Sequence, residues 1–470
     1  MKKTLIIPAA VFACAMAYGE EAPEGVEIEP SAFVFNAGAD LRIRQEIMHN
    51  VPTLPYGVLG RPGVYRGKTK NQLRFRPDVW AELKMGDQWR FYARVNDEFR
   101  AGLVQKTHNQ TFPGEAVIDN LYLEGKGLLD DVLDIRVGRQ DLYKLYGLNH
   151  IFVDGTPGDG SCSTYADMAN IALHVSEESW FDVFALKTHD QEELRWGTKR
   201  SRHIRRTGFG RGEPEMDDWG FGVVWNSRVD LLDYQLFWIQ KDTASFHRDG
   251  VKHPRKQINL VGTKLVPHWT EEFSTPLELM GQIGRNGEDE TLHGWAAYAG
   301  FDWRKSAGFG GEGFASSWKP FWNGGVLFLS GDKDAANEDG GNHAWDPMWY
   351  RGVDDSEMFL YGSTYGCGWW SNMINVKTTL GVDFGYRHRA QLMTGPMFAE
   401  QKDGLGGGDG QYKGFLAQAR YDFPIWIADK SEGGRFELFG HVLLEYFAPG
   451  DYFETDKPAT FFRWQLDFRF

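Results

Sequence analysis

Apolar and polar residues alternate with a period of two along most of the chain. The C-terminal stretch "FFRWQLDFRF" at 461–470 places aromatic or aliphatic residues at every even position and polar ones at 463, 465, 467 and 469. Successive side chains of a β-strand point to opposite faces, so this stretch is predicted to be a strand with one apolar and one polar face. "LRFRPDVWAELKM" at 73–85 shows the same pattern.

The same pattern predicts about 18 strands, with 16 as the alternative count. The expected strands lie at 33–47, 72–85, 89–99, 116–125, 132–142, 167–176, 179–188, 218–226, 230–240, 256–265, 276–285, 293–303, 319–329, 372–384, 386–399, 413–424, 434–447 and 459–470.

The connections between these strands are unequal in length. Most odd-numbered connections are long, whereas several even-numbered ones are very short, such as "GDQ" at 86–88 and "EE" at 177–178. Long loops on one side and short turns on the other are typical of an outer-membrane barrel. A soluble β-sandwich is the alternative, but it gives no reason for the lengths to alternate. We therefore predict an all-β fold, a transmembrane antiparallel β-barrel over 32–470, with its apolar face toward lipid.

The composition agrees with this fold class. Aromatic residues make up 15% of the chain and there are 56 glycines, which favours strands and turns over helices. The mean hydropathy is -0.46, and no apolar run after the N-terminus approaches the roughly 18 residues that a membrane-spanning helix needs.

The N-terminus has the order of a secretory signal peptide. Lys2 and Lys3 precede an apolar stretch that ends in small residues, so 1–19 is predicted to be the signal and 20–31 a short segment before the barrel. A lipoprotein site at Cys14 is the alternative. The formal net charge of -14 makes nucleic acid an unsuitable partner. Cys162 and Cys367 form one disulfide or none.

Several stretches resemble the alginate export family of outer-membrane porins. They are "LRIRQE" at 41–46, "LRFRPDV" at 73–79, "IRVGRQDL" at 135–142, "FLSGDKDA" at 328–335 and "YFAPGDYF" at 446–453. The resemblance implies a monomeric 18-stranded barrel in the bacterial outer membrane. It also implies an arginine-rich lumen that passes anionic polysaccharide, and no enzymatic chemistry.

Arginines recur on the polar face of the expected strands. Alternation places six of the candidate anion-binding residues there, namely Arg42, Arg44, Arg74, Arg76, Arg94 and Arg136. Guanidinium groups match carboxylates by paired hydrogen bonds, so we expect an anion-selective lumen. The alternative is that these arginines only neutralise luminal acids such as Glu46, Asp78 and Glu98. Arg139 joins the set by resemblance alone, because alternation places it toward lipid unless a bulge turns it inward.

Two connections carry candidate chemistry. Residues 195–211 hold seven Lys or Arg and no acid; this basic segment is a surface that collects anions, a contact for lipopolysaccharide, a loop folded into the pore or a solvated loop. Asp332, Asp334 and Asp339 cluster oxygen ligands of the kind that Ca²⁺ prefers, although the spacing is not that of an EF-hand. An ordinary acidic turn is the alternative, and no other cofactor is expected.

The predicted function is an outer-membrane channel that passes anionic polysaccharide or other acidic sugars. The alternatives are a general or carboxylate-selective porin and a structural or adhesive surface barrel. The chain contains no G-x-S-x-G motif or comparable catalytic grouping, so an enzyme is not expected. The expected partners are the acidic solute, outer-membrane lipid and lipopolysaccharide, and the barrel is expected to be a monomer.

Overall fold

The computed structural model describes most of the expected strands and parts of their connections. The described residues are 33–51, 69–103, 112, 116–141, 165–188, 195–196, 218–248, 251–288, 290–308, 317–333, 341–349, 356–358, 370–385, 387–403, 406–427 and 436–470.

Almost all of the regular structure is strand. A four-residue helical turn, α1 (Leu128–Asp131), follows the fifth strand. The strands are β1 (Phe33–His49), β2 (Thr69–Met85), β3 (Trp89–Asn96), β4 (Phe99–Gly102), β5 (Ala116–Gly127), β6 (Leu133–Asp141), β7 (Tyr165–Ser176), β8 (Ser179–Lys187), β9 (Arg195–Trp196), β10 (Asp218–Val229), β11 (Leu232–Thr243), β12 (Phe246–Arg248), β13 (Val251–His253), β14 (Lys256–Thr270), β15 (Phe273–Ser274), β16 (Leu277–Asn286), β17 (Glu290–Arg304), β18 (Lys319–Leu329), β19 (Gly341–Asn342), β20 (Met373–Phe384), β21 (His388–Phe398), β22 (Tyr412–Ile427), β23 (Glu437–Pro449) and β24 (Ala459–Arg469).

These strands close into an 18-strand antiparallel barrel. β3 and β4 both pair with β2 and together form one wall strand, and β15 and β16 both pair with β14 and form another. β24 pairs with β1 over ten residue pairs from Asp40↔Arg469 to His49↔Thr460, which seals the ring. The prediction of an antiparallel barrel with 18 strands is confirmed, and the alternative count of 16 is wrong.

The two faces of the wall have opposite character. Val79 and Trp295 point outward and are 59% and 64% exposed, whereas Arg44 and Arg463 point inward and are fully buried. A soluble protein has the reverse distribution, with large apolar side chains inside and charges outside. This inversion fits an apolar band in lipid around a polar lumen. The described residues contain no helix of the length and hydrophobicity that a membrane crossing requires.

Some expectations concern residues outside the described ranges. These are the signal peptide at 1–19, the segment at 20–31, both cysteines Cys162 and Cys367, and most of the basic segment, of which only Arg195–Trp196 is described, as β9. All of these stay predictions.

The last residue takes part in sealing the ring. The Phe470 amide donates to the Ala39 carbonyl at 2.8 Å, and the Phe470 ring packs on Phe436 with 5.3 Å between centroids. We expect Phe470→Asp to reduce assembly, because it removes an aromatic contact of about 0.5–1.5 kcal/mol and places a carboxylate on the outward face at the seam. The measurement is the compact, unheated band on a detergent gel that shifts on boiling.

Phe470→Tyr keeps the ring and is the matched control for this experiment. We expect it to assemble as the wild type does. An Asp variant that assembles as efficiently as the Tyr variant would show that the terminal ring does not matter for closure.

Candidate functional site: the luminal wall

Five arginines form one patch on the inner face of neighbouring strands. Strand register places Arg42 opposite Arg76, Arg44 opposite Arg74, and Arg74 opposite Arg100. We call these five residues the arginine cluster. Alternation along β1, β2 and β4 turns each side chain inward, and pairing aligns them across three strands, so like charges lie side by side.

Two carboxylates lie within the arginine cluster. Glu46 Oε1 is 2.9 Å from Arg44 Nε and 3.1 Å from an Arg74 terminal nitrogen. Glu98 Oε1 lies 2.6 Å from the other terminal nitrogen of Arg74 and 2.8 Å from Arg100. All of these side chains are buried, where an unpaired charge is costly. The shared carboxylates therefore make it possible to bury three guanidinium groups together.

The other two arginines of the cluster lie one step nearer the short-turn end of the barrel. Arg76 Nε is 3.6 Å from Asp78 Oδ2, beyond ordinary hydrogen-bond distance. Arg42 lies opposite both Arg76 and Asp467 in the register. Four of the expected pore-lining residues, Arg42, Arg44, Arg74 and Arg76, are thus brought together.

Arg94 and Arg136 lie elsewhere on the inner wall, in ion pairs with other luminal carboxylates. Arg94 donates two hydrogen bonds of 2.8 Å to the two oxygens of Asp119, and it lies 3.2 Å from Asp141. Arg136 Nε donates to Glu124 at 2.9 Å. These two arginines fit the interpretation in which luminal arginines neutralise luminal acids.

Arg139 does not join the other arginines. It lies opposite Leu121, which is on the outward face, and two residues after the outward-facing Val137. Its guanidinium pairs with Asp167 at 2.9 Å and donates to the Ile118 carbonyl at 3.1 Å. The alternation along β6 therefore places the Arg139 side chain on the outward face, where it contacts Asp167 and Ile118 near the end of the strand. No bulge turns it toward the arginine cluster.

Arg100 is a member of the cluster that the sequence-based set omits, because the third strand was expected to end at residue 99. A short interruption at 97–98 separates β3 from β4. Every second side chain nevertheless continues to face inward across it, from Arg94 and Asn96 to Glu98 and Arg100. Extending the alternation beyond the interruption would have identified it.

Part of the long connection between β18 and β20 lies inside the barrel. Trp349 Nε1 donates to Asp218 Oδ2 at 3.2 Å, and Lys241 Nζ donates to the Met348 carbonyl at 2.9 Å. Gly220 leaves the space for this contact, because a Cβ there would lie 2.5 Å from the Trp349 ring. These contacts anchor residues 341–349 of the connection to β10 and β11.

Asp346 strengthens the same anchor. Its carboxylate lies 2.5 Å from Lys256 Nζ and 3.8 Å from Lys241 Nζ, and its backbone exchanges two hydrogen bonds with the Gln282 side chain. Burial by itself raises the pKa of a carboxyl group, but the two ammonium groups outweigh it and lower the pKa of Asp346 to about 2. The carboxylate is therefore charged over the whole neutral and mildly acidic range.

A second anchor holds the connection to the opposite wall. Glu445 on β23 accepts hydrogen bonds from Ser356 Oγ at 2.8 Å and from the amides of Glu357 and Met358 at 2.8 and 3.0 Å. Glu357 in turn pairs with Arg463 on β24. β23 and β24 lie about half the circumference from β10 and β11. Two described segments of the connection, 341–349 and 356–358, therefore contact opposite walls, and the second lies beside the arginine cluster, since Arg463 lies opposite Glu46.

No metal site is visible in the described part of the chain. Those residues contain no group of three or more His, Cys, Asp or Glu side chains that could hold an ion. Asp332 is described and buried just after β18, whereas Asp334 and Asp339 are outside the described ranges. The calcium hypothesis stays a prediction.

Comparison with known proteins supports the fold. No family model matches the chain, and no curated protein matches it in sequence. Among solved structures, Pseudomonas aeruginosa OccK5 (OpdH) is 10% identical, with 92% of this chain and 98% of that chain covered and a TM-score of 0.51. The outer membrane protein opdK from the same organism is 8% identical, with coverage of 93% and 99% and a TM-score of 0.51. The barrel has an outer-membrane porin fold.

The porin fold bears on the expected location of the barrel in the cell. The prediction of a bacterial outer-membrane barrel is confirmed. Acinetobacter baumannii OccAB2, 10% identical with 93% and 98% coverage and a TM-score of 0.50, shares the fold. The similar structures are porin channels and not enzymes. No family match supports the more specific resemblance to the alginate export family.

The Asp346 anchor generates a prediction about pH. A carboxyl group whose folded pKa is lowered contributes stability that is present above its ordinary pKa of 3.8 and is lost as the pH falls through about 2. We expect the current through the open channel to be equally quiet from pH 7 to about pH 4 and to become noisier below it. Asp346→Asn should show the noisy behaviour already at pH 7. Single-channel recording measures both effects.

Asp409→Asn is the control, because Asp409 is an exposed acid in a connection at the same end of the barrel. It should leave the current noise unchanged at every pH. Quiet channels from Asp346→Asn at pH 7 would contradict the role of this carboxylate as an anchor.

Proposed function

We propose that this barrel is a channel through which small organic anions, carboxylates and acidic sugars among them, cross the outer membrane. The main support for this proposal is the arginine cluster. Three of its guanidinium groups, those of Arg44, Arg74 and Arg100, share the two enclosed carboxylates Glu46 and Glu98, and Arg42 and Arg76 lie beside Asp467 and Asp78 at its edge.

The chemistry of the cluster suits carboxylates. A guanidinium group presents a planar fork of donors that matches two carboxylate oxygens, and it keeps its charge when it is partly desolvated. Inside a channel with low-dielectric walls, nearby charges determine the local potential more than distant, screened ones do. An acidic protein with a formal net charge of -14 can therefore attract anions at this one position.

Two described segments of the connection between β18 and β20 favour small solutes over a polymer. These segments, 341–349 and 356–358, are tied to opposite walls, and the second anchor ends at Arg463 beside the cluster. A solute that passes this level is brought close to the arginines. The carboxylate-selective alternative is therefore better supported than polysaccharide export. Contacts with lipopolysaccharide and a monomeric state remain part of the proposal.

Replacing both Arg74 and Arg76 by Ser tests the role of the cluster. A charge-assisted contact contributes about 1.5–3 kcal/mol, and less where a carboxylate shares it, so we expect the anion-to-cation permeability ratio to fall roughly threefold to tenfold. Reversal potentials across a salt gradient in planar bilayers measure this ratio. Block of the current by uronate oligomers of increasing length, compared with monomers, separates small-solute passage from polymer passage.

Removing two exposed charges, in Arg255→Ser with Lys457→Ser, is the matched control, and it should leave the ratio unchanged. Arg76→Ser alone keeps the ion pairs of Glu46 with Arg44 and Arg74 and those of Glu98 with Arg74 and Arg100, so it reports on selectivity if the double variant assembles poorly. Wild-type selectivity in the arginine variants would mean that these residues only neutralise luminal acids. A channel that does not conduct at all would favour a structural or adhesive barrel.

A further inference from the structure

Three aromatic side chains line the inner wall between the arginine cluster and the short-turn end of the barrel. Trp80, Tyr92 and Tyr122 lie on β2, β3 and β5, with 6.3 Å between the first two ring centroids and 5.3 Å between the second two. The ring planes differ by only 22° and 31°. We call these three residues the aromatic platform. Inward-facing aromatic rings on three consecutive strands are not needed for closing the wall.

The backbone makes room for the platform at one position. Gly38 on β1 lies opposite Trp80, and a Cβ at residue 38 would be 2.6 Å from the indole ring. Trp80 therefore lies over the neighbouring strand and keeps its place on the inner surface. Trp80 and Tyr92 lie on the inner face and are both partly exposed, whereas Tyr122 is only 7% exposed and packs against Tyr92.

A hydrogen-bond acceptor and a hydrogen-bond donor lie beside the platform. Glu82 lies between Asn36 and Tyr92 in the register and accepts from the Asn36 amide at 3.1 Å. Arg90 donates to Glu82 at 3.1 Å and to the Tyr122 hydroxyl at 2.7 Å. The Arg90 guanidinium also lies 5.5 Å from the Tyr122 ring centroid, within the range of a cation–π contact. The platform thus has a carboxylate acceptor and a guanidinium donor beside it, and the two are paired with each other.

This combination discriminates between classes of ring-shaped solute. A pyranose has a face of C–H groups that packs on an aromatic ring, and each of its hydroxyls both donates and accepts hydrogen bonds. An aromatic carboxylate also stacks, but it has only acceptors to offer to Glu82. Binding sites with a few polar groups around an apolar surface obtain their specificity from such matches.

We propose that the aromatic platform binds pyranose rings, so that the anions the channel admits are sugar acids. This inference rests on the proposed anion channel and adds the class of solute. Trp80 lies four positions after Arg76 along β2, a rise of roughly 13 Å. A sugar acid that leaves the arginine cluster therefore meets the platform as the next site toward the short-turn mouth.

Solute-induced interruptions of single-channel current test this proposal, with D-glucuronate, D-glucose and benzoate as probes on the full-length protein. In Trp80→Leu and in Tyr92→Leu we expect the residence times of glucuronate and glucose to fall roughly fivefold to tenfold, since a lost aromatic contact of about 1 kcal/mol or more has that effect. The residence time of benzoate should fall by less than that of either sugar, because benzoate stacks but has no donor for Glu82, and the anion selectivity should stay as in the wild type. Two variants are used so that the test remains possible if one of them does not assemble.

Trp295→Leu is the matched control, because it removes an indole from the outward face of β17. It should change none of the three residence times. Unchanged residence of both sugars in the two platform variants overturns the inference while the anion channel stands. An equal loss for benzoate overturns the assignment to sugars. If the wild type shows no anion preference, the proposed function fails, and the glucose measurement still decides for or against the platform.

Discussion

Closure of the backbone hydrogen-bond ladder is the constraint on which the rest of the structure depends. Within lipid, an unpaired amide or carbonyl group costs several kcal/mol, so a sheet can span a membrane only if it has no free edge. Pairing of β24 with β1 meets this requirement. A closed antiparallel wall then places every second side chain in the lumen, and the solutes it admits are determined by the groups at those positions.

The inner surface is not a uniform lining. At the level of the arginine cluster, register places Arg44, Arg74 and Arg100 side by side, and Glu46 and Glu98 offset part of their repulsion. Nearer the short-turn end, Arg94 pairs with Asp119 and Asp141, and no second arginine among the described residues is paired with these two acids. The cluster, and the aromatic platform below it, therefore differ from the surrounding wall in what they offer to a solute. The connection between β18 and β20 is anchored at Asp346 and at Glu445, and its second anchor lies beside the cluster.

Much of the fold was predictable because a barrel is encoded by local patterns. The alternation of apolar and polar residues identified the strands and their apolar and polar faces, and the unequal connections identified the long-loop and short-turn ends of the barrel. Both signals are local, so they do not require knowledge of which distant residues are in contact. The candidate site was predictable only in part. The cluster arginines at 42, 44, 74 and 76 were found by parity, whereas Arg100 was omitted because the alternation is interrupted before β4. Arg139, included by resemblance, pairs with Asp167 away from the cluster.

The sequence by itself determined that this chain forms strands with one apolar and one polar face, because side-chain direction in a strand has a period of two and is a property of neighbours along the chain. The tertiary structure decided which polar residues share a carboxylate and which rings adjoin, because strand register and the path of a long connection depend on contacts between distant segments. Glu357 against Arg463 and Trp80 over Gly38 are contacts of this kind. No local period encodes them, and the proposed selectivity depends on them.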